Sequence, residues 1–227
     1  MKSDTVISTY HEYILEGISS LNLGLQFYKE YQKVPEDVGS DSSGIYSAFN
    51  CRYAFLMIAN SLEAAANALL LSRNLESSYY EELEKLNTLL KFKLFCNLIG
   101  DNLDKGNQYY GRVKEIIACR NEFVHPKPRR VTYEIDKTKS DIIFDIKRTK
   151  IRDYPHYFNE IRPEHSLTAL QDTLGFLSWV CFDICKFKID EGALLLGLNS
   201  YCSTAEIDII GAEYNLAFDT RTFGKLK

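Results

Sequence analysis

Several familiar signatures are missing from this 227-residue chain, and each absence removes a class of function. Neither Gly100 nor Gly106 leads into Lys-Ser or Lys-Thr, so no glycine-rich loop is present to cradle a nucleoside triphosphate. No Gly-x-Ser-x-Gly occurs, which removes the strand-to-helix turn that presents a hydrolase serine. Cys181-x-x-x-Cys185 has no second pair, and His11, His156 and His165 lie far apart, so no metal site and no cofactor are expected. The start, Met1-Lys2-Ser3-Asp4-Thr5, puts an acid where a secretory signal needs an apolar run. The longest apolar stretch, Leu174 to Cys185, is broken by Asp183 and too short to span a bilayer. With neither an export signal nor a membrane span, the six cysteines read as buried thiols and the expected compartment is the cytoplasm. Internal repeats, low-complexity tracts and an interdomain linker are also lacking, which leaves one domain over residues 1–227.

What is present reads mostly as helix. Val6, Tyr10, Ile14, Ile18, Leu21, Leu25 and Tyr28 recur every three or four residues and predict a first helix over about 6–33. A Gly-, Ser- and Asp-rich loop follows Pro35, and Ser42 or Ser43 could cap a second helix over about 44–73. Tyr80, Leu83, Leu86, Leu90, Leu94 and Leu98 predict one third helix ended by Gly100. The fourth carries Tyr110, Val113, Ile116 and Ile117, and should stop near His125 because Pro126 disfavours helical geometry at the residue before it. The period then becomes two: Val131, Tyr133 and Ile135, then Ile142, Phe144 and Ile146, around a Lys-Thr-Lys-Ser turn. That alternation predicts a β-hairpin inserted over 127–152. A fifth helix, about 164–188, is apolar nearly all round, as the central helix of a bundle or a dimer seam would be. Residues 190–227 give no assignable pattern. The expected fold class is mainly α: an antiparallel helical bundle with a β-hairpin insertion after the fourth helix.

The net charge of −4 argues against a wholesale nucleic-acid coat, yet it is unevenly spread. Residues 126–152 hold nine Lys or Arg against four acids, which is +5 there and −9 for the remainder. Within that segment Arg129, Arg130, Lys147, Arg148 and Lys150 are the candidates for attracting RNA. Lysines that keep an edge strand from aggregating would look the same in sequence.

Beside this basic segment stands the most pointed feature of the chain, Arg120-Asn121-Glu122-Phe123-Val124-His125, ending at Pro126. It sets a permanent cation, an amide and a titratable imidazole within two turns, the side chains that RNA cleavage without a metal requires. On a regular helix Asn121 and His125 lie about 40° apart, and Arg120 and His125 about 140° apart. Arg120 and His125 can therefore converge only if His125 leaves the helical path or a second copy of the helix approaches. In cleavage by 2′-hydroxyl attack a base takes one proton, an acid gives one, and a cation steadies the transition state. One imidazole does one proton job at a time, which is a physical reason to expect a dimer. A polar line on the apolar second helix, Asn60, Glu63 and Asn67, could border the same cleft, with Glu63 holding Arg120 or His125.

Arg120, Asn121 and His125 match, position for position, the Arg-polar-x-x-x-His motif of the HEPN superfamily (higher eukaryotes and prokaryotes nucleotide-binding), and the chain resembles that family. By architecture the resemblance spans about residues 44–188; by sequence it is confined to the motif and the helix Phe49 to Leu70. It implies a homodimer with a composite cleft and metal-independent endoribonuclease activity, as in toxin–antitoxin, abortive-infection and CRISPR systems, with RNA as substrate and an antitoxin or defence partner. Other members have lost activity and bind partners or nucleotides. The hairpin insertion departs from the family pattern. The residues themselves leave plainer readings open: Arg120 paired with Glu122, His125 capping a helix end, and a second-helix polar face that is simply wet.

Overall fold

The computed structural model of the protein describes residues 9–34, 42–73, 75–125, 154–155 and 158–188, together with the backbone of 132–136 and 141–145. The described chain is mainly helical: α1 (Tyr10–Tyr31), α2 (Ser42–Leu71), α3 (Ser77–Glu84), α4 (Thr88–Leu98), α5 (Gln108–Val124) and α6 (Pro163–Ser178). A π-helical turn, Trp179–Ile184, extends α6, and a short 3₁₀ turn, Phe158–Glu160, precedes it. Two five-residue strands, Thr132–Asp136 and Asp141–Asp145, pair antiparallel with Tyr133 opposite Phe144. The C-terminal segment 190–227 lies outside the described residues, as does Pro126.

Local chemistry sets the helix ends. Where the leucine stripe predicts one helix through Leu98, the chain forms two, because Asn87 caps α4 by accepting the Leu90 amide at 3.0 Å. The motif helix is consequently the fifth, and the paired strands follow the fifth helix rather than the fourth. Ser42 and Ser43 lie inside the first turn of α2 instead of capping it. Gly100, at φ 81°, closes α4 with the double bond pattern of a left-handed cap: its amide donates to Asn97 and the Asp101 amide to Cys96. Asn107 caps α5 through the Tyr109 amide at 2.8 Å.

The helix directions follow from which residues meet. A Cβ at Gly17 would lie 2.9 Å from the Ile58 side chain, one at Gly24 2.6 Å from Cys51 Sγ, and one at Gly44 2.9 Å from the Tyr31 ring. Position numbers rise on α1 as they fall on α2, so the two run antiparallel at near-backbone contact. The pairs Phe55–Phe123 and Asn60–Arg120 make α2 and α5 antiparallel in the same way, and Arg112–Asp172 does so for α5 and α6 once Tyr109 is set against Gly175. Helix α2 touches α1, α4, α5 and α6, while α6, within the fifth predicted helix, is largely buried against α1, α2 and α5, so the two share the centre of the described bundle. It is long and apolar enough to cross a membrane, but most of it is buried among its neighbours, the arrangement of a core helix.

The core gathers Ile14, Ile18 and Leu21 with Phe55, Ile58 and Leu62, and Phe92 and Phe95 with Leu170 and Phe176, all fully buried. Phe92 and Phe176 meet edge to face at 4.9 Å. On α4 the buried face is Thr88, Lys91, Phe92, Phe95 and Cys96, not the predicted leucine stripe, whose Leu90 and Leu98 are exposed.

At the start of α6 the His165 Nδ1 accepts the Arg162 amide at 3.0 Å, which requires that nitrogen to be unprotonated. Burial is the main force holding the His165 pKa below 6.5, the nearby Arg162 charge adds to it, and Glu164 and Glu160 oppose it. With the folded value below the unfolded one, protons bind the unfolded chain first. This contribution to stability is therefore present above pH 6.5 and declines as pH falls from there toward the folded pKa. Urea midpoints measured across that range should fall more steeply for the native chain than for His165→Gln.

Candidate functional site

Lysine on the apolar face of a helix is costly unless an anion meets it. Lys91, 1% exposed between buried Thr88 and Phe95 on α4, meets Glu63 of α2, with Nζ 3.0 Å from Oε1. The other oxygen of the same carboxylate lies 3.7 Å from Arg120 Nη2 on α5. Glu63 thus stands between a buried cation and a surface cation, and three helices meet at it.

Arg120 is held further from its sides. Its Nε donates to Asn60 Oδ1 at 3.1 Å, and Nη1 donates to Asn121 Oδ1 at 3.0 Å. The planar fork is fixed against α2 while a quarter of the side chain stays open to solvent. At 3.7 Å the Glu63 contact is an ion pair without a hydrogen bond, and among the described residues the Nη2 protons and the second Nη1 proton meet no acceptor.

His125 follows Val124, the last residue of α5, with φ −126° and ψ 65°, away from the helical path. Its amide still donates to the Asn121 carbonyl at 2.9 Å, while its side chain is exposed. Among the described residues its imidazole makes no hydrogen bond or ion pair, with Arg120, Asn121 and Glu63 included. The Asn121 amide oxygen goes to Arg120 rather than to His125. Asn67, one turn beyond Glu63, is half-buried.

The structure therefore gathers Arg120, Asn121 and Glu63, and leaves His125 at the rim of the same helix end. Arg129, Arg130, Lys147, Arg148 and Lys150 lie outside the described residues. Two partners were not among the sequence candidates for chemistry: Lys91 and, as the direct holder of Arg120, Asn60. The signal for Asn60 was its spacing from Glu63; for Lys91 it was a lysine in register with Phe95.

Among the described residues the thiols of Cys51, Cys96, Cys119 and Cys181 are buried, and that of Cys185 is partly so. Burial pushes Cys51, Cys119 and Cys181 up to about 12. A hydrogen bond from the Cys185 thiol lowers Cys96 and raises Cys185 in turn. Among the described residues no three His, Cys, Asp or Glu side chains gather as metal ligands. Clefts of about 500 and 680 Å³, bordered by Ala48, Ile161 and Arg162, include none of Arg120, Asn121, His125 or Glu63.

Compared with protein-family models, curated proteins and solved structures, the chain matches none.

Proposed function

We propose that this protein is a HEPN-like, metal-independent endoribonuclease of the cytoplasm that acts as a homodimer, in the manner of a toxin or antiviral defence effector. The observation that carries the reading is the Arg120 guanidinium, clamped side-on by Asn60 and Asn121 with part of its fork open, at the head of a six-residue motif that ends at an exposed, off-helix His125.

The chemistry suits those groups. Arg120 holds two non-bridging oxygens of the scissile phosphate bidentately and steadies the charge that grows on them. One imidazole takes the proton of the 2′-hydroxyl as its oxygen attacks phosphorus, and a second gives a proton to the departing 5′-oxygen. A 2′,3′-cyclic phosphate and a 5′-hydroxyl result. Because the His125 imidazole makes no hydrogen bond to Arg120 or its partners among the described residues of one chain, the second copy supplies the missing approach. The basic hairpin insertion, with Arg129, Arg130, Lys147, Arg148 and Lys150, draws RNA toward the cleft.

The test is cleavage of RNA in EDTA by the purified protein and by His125→Ala. Loss of cutting in the variant supports the reading, and equal activity in both ends it. One observation favours a second, non-catalytic reading as a partner- or nucleotide-binding HEPN-like dimer. Arg120 shares Glu63 with a buried lysine and so also ties α5 to α2. On that reading Arg120→Ala lowers the melting temperature and leaves the lifetime of every RNA unchanged.

A further inference from the structure

Glu63 treats its two cations unequally. It lies 3.0 Å from Lys91 Nζ and 3.7 Å from Arg120 Nη2. The reason is solvent. Lys91 is 1% exposed and, among the described residues, has Glu63 as its counter-charge, whereas a quarter of Arg120 is open to water. The carboxylate therefore settles on the cation that water cannot serve.

We infer that Lys91 is a positioning residue of the candidate phosphate site, holding Glu63 from beneath the surface so that the outer edge of Arg120 is left to a phosphodiester. The inference rests on the RNA-binding reading above. Charge arithmetic states the consequence. Lys91, Glu63 and Arg120 together carry +1; without Lys91 the remaining pair carries zero. Freed of the lysine, Glu63 closes from 3.7 Å to hydrogen-bond distance on Nη2, occupying the protons a phosphate would use. One buried ammonium, out of reach of any ligand, thereby sets both the charge and the free donors of the surface site.

The probe is a labelled 2′-O-methyl oligoribonucleotide, whose blocked 2′-oxygen cannot attack, so that binding is read apart from cleavage. Full-length protein is compared with Lys91→Met, Glu63→Gln and the double variant, each checked for folding by circular dichroism. Lys91→Met should bind about tenfold more weakly, and the slope of log affinity against log salt should be shallower by about 0.7. Glu63→Gln, which keeps an acceptor for Lys91 but removes the negative charge, should bind more tightly with a steeper slope. The double variant should return to within about twofold of the native affinity. A purely structural role for Lys91 predicts no such recovery.

Equal binding by Lys91→Met and the native protein overturns the inference. So does a folded double variant that stays weak, or a native protein that fails to bind the probe. Should Lys91→Met not fold, the Glu63→Gln result decides: binding no tighter than native overturns it. The two proposals fail separately. Binding that follows the predicted order, with cleavage unaltered in His125→Ala, removes the nuclease and keeps the phosphate site. Cleavage that requires His125, with binding indifferent to Lys91, does the reverse.

Discussion

Replacing Glu63 with leucine is expected to destabilise the folded protein by about 3 kcal/mol, the largest loss of stability from a single change at the candidate site. The cost comes from Lys91. Its ammonium is 1% exposed on a face shared with Phe92 and Phe95, and Glu63 is the anion 3.0 Å away. A leucine would remove the counter-charge and seal the space against water. Glu63 itself is 34% exposed, which puts the expected cost at the lower end of the range for broken buried pairs. Against a total stability of about 5–15 kcal/mol, that loss is readily measured. The Glu82–Lys85 pair gives the contrast: it is shorter, 2.7 Å, but both side chains are about two-thirds exposed, and Glu82→Ala should change stability little. Adding Lys91→Met to Glu63→Leu should recover most of the loss, since an apolar pair of similar volume replaces the ion pair at little net cost. Urea unfolding of the three variants checks this. A cost below about 1 kcal/mol for Glu63→Leu would show that Lys91 is not held as the geometry implies.

The mainly helical character was legible because periodic apolar residues report burial directly: Ile14, Ile18, Leu21 and Leu25 fall on α1 where the spacing puts them. The same rule failed at α3 and α4. The leucine spacing runs unbroken from Leu83 to Leu98, but Asn87 offers its side chain to the Leu90 amide and starts a new helix. Helix α4 then turns Phe92 and Phe95 inward and Leu90 outward, because aromatic area outweighs leucine area in filling the space beside Phe176. At the candidate site, spacing on one helix suggested that Glu63 could reach the motif. Spacing says nothing of a partner 28 residues away on a helix whose register was misplaced, and so Lys91 stayed hidden. Asn121 illustrates the remaining ambiguity. Helical geometry allows its amide to face His125 four residues on, whereas its oxygen instead meets the neighbouring guanidinium, a charged donor and therefore the stronger bond.

The other large effect falls on activity and should leave stability nearly untouched. His125 is exposed, lies off the helical path and makes no side-chain hydrogen bond among the described residues, so His125→Ala removes little that holds the fold. A group that moves a proton in the transition state is worth about 10²–10⁴ in rate, so under the proposed ribonuclease function His125→Ala is expected to slow RNA cleavage by that factor. A second expectation tests whether the cleft is shared. Each chain contributes one His125, while cleavage needs a base and an acid at once. If sister subunits supply one each, a dimer with a single histidine is as impaired as one with none. At equal total protein concentration, a one-to-one mixture of native protein and His125→Ala, left to exchange subunits, should then show about a quarter of the all-native activity, the share of dimers with both histidines intact. Retention of half would place the whole apparatus within one chain, and the second proton would need a donor other than the partner's imidazole.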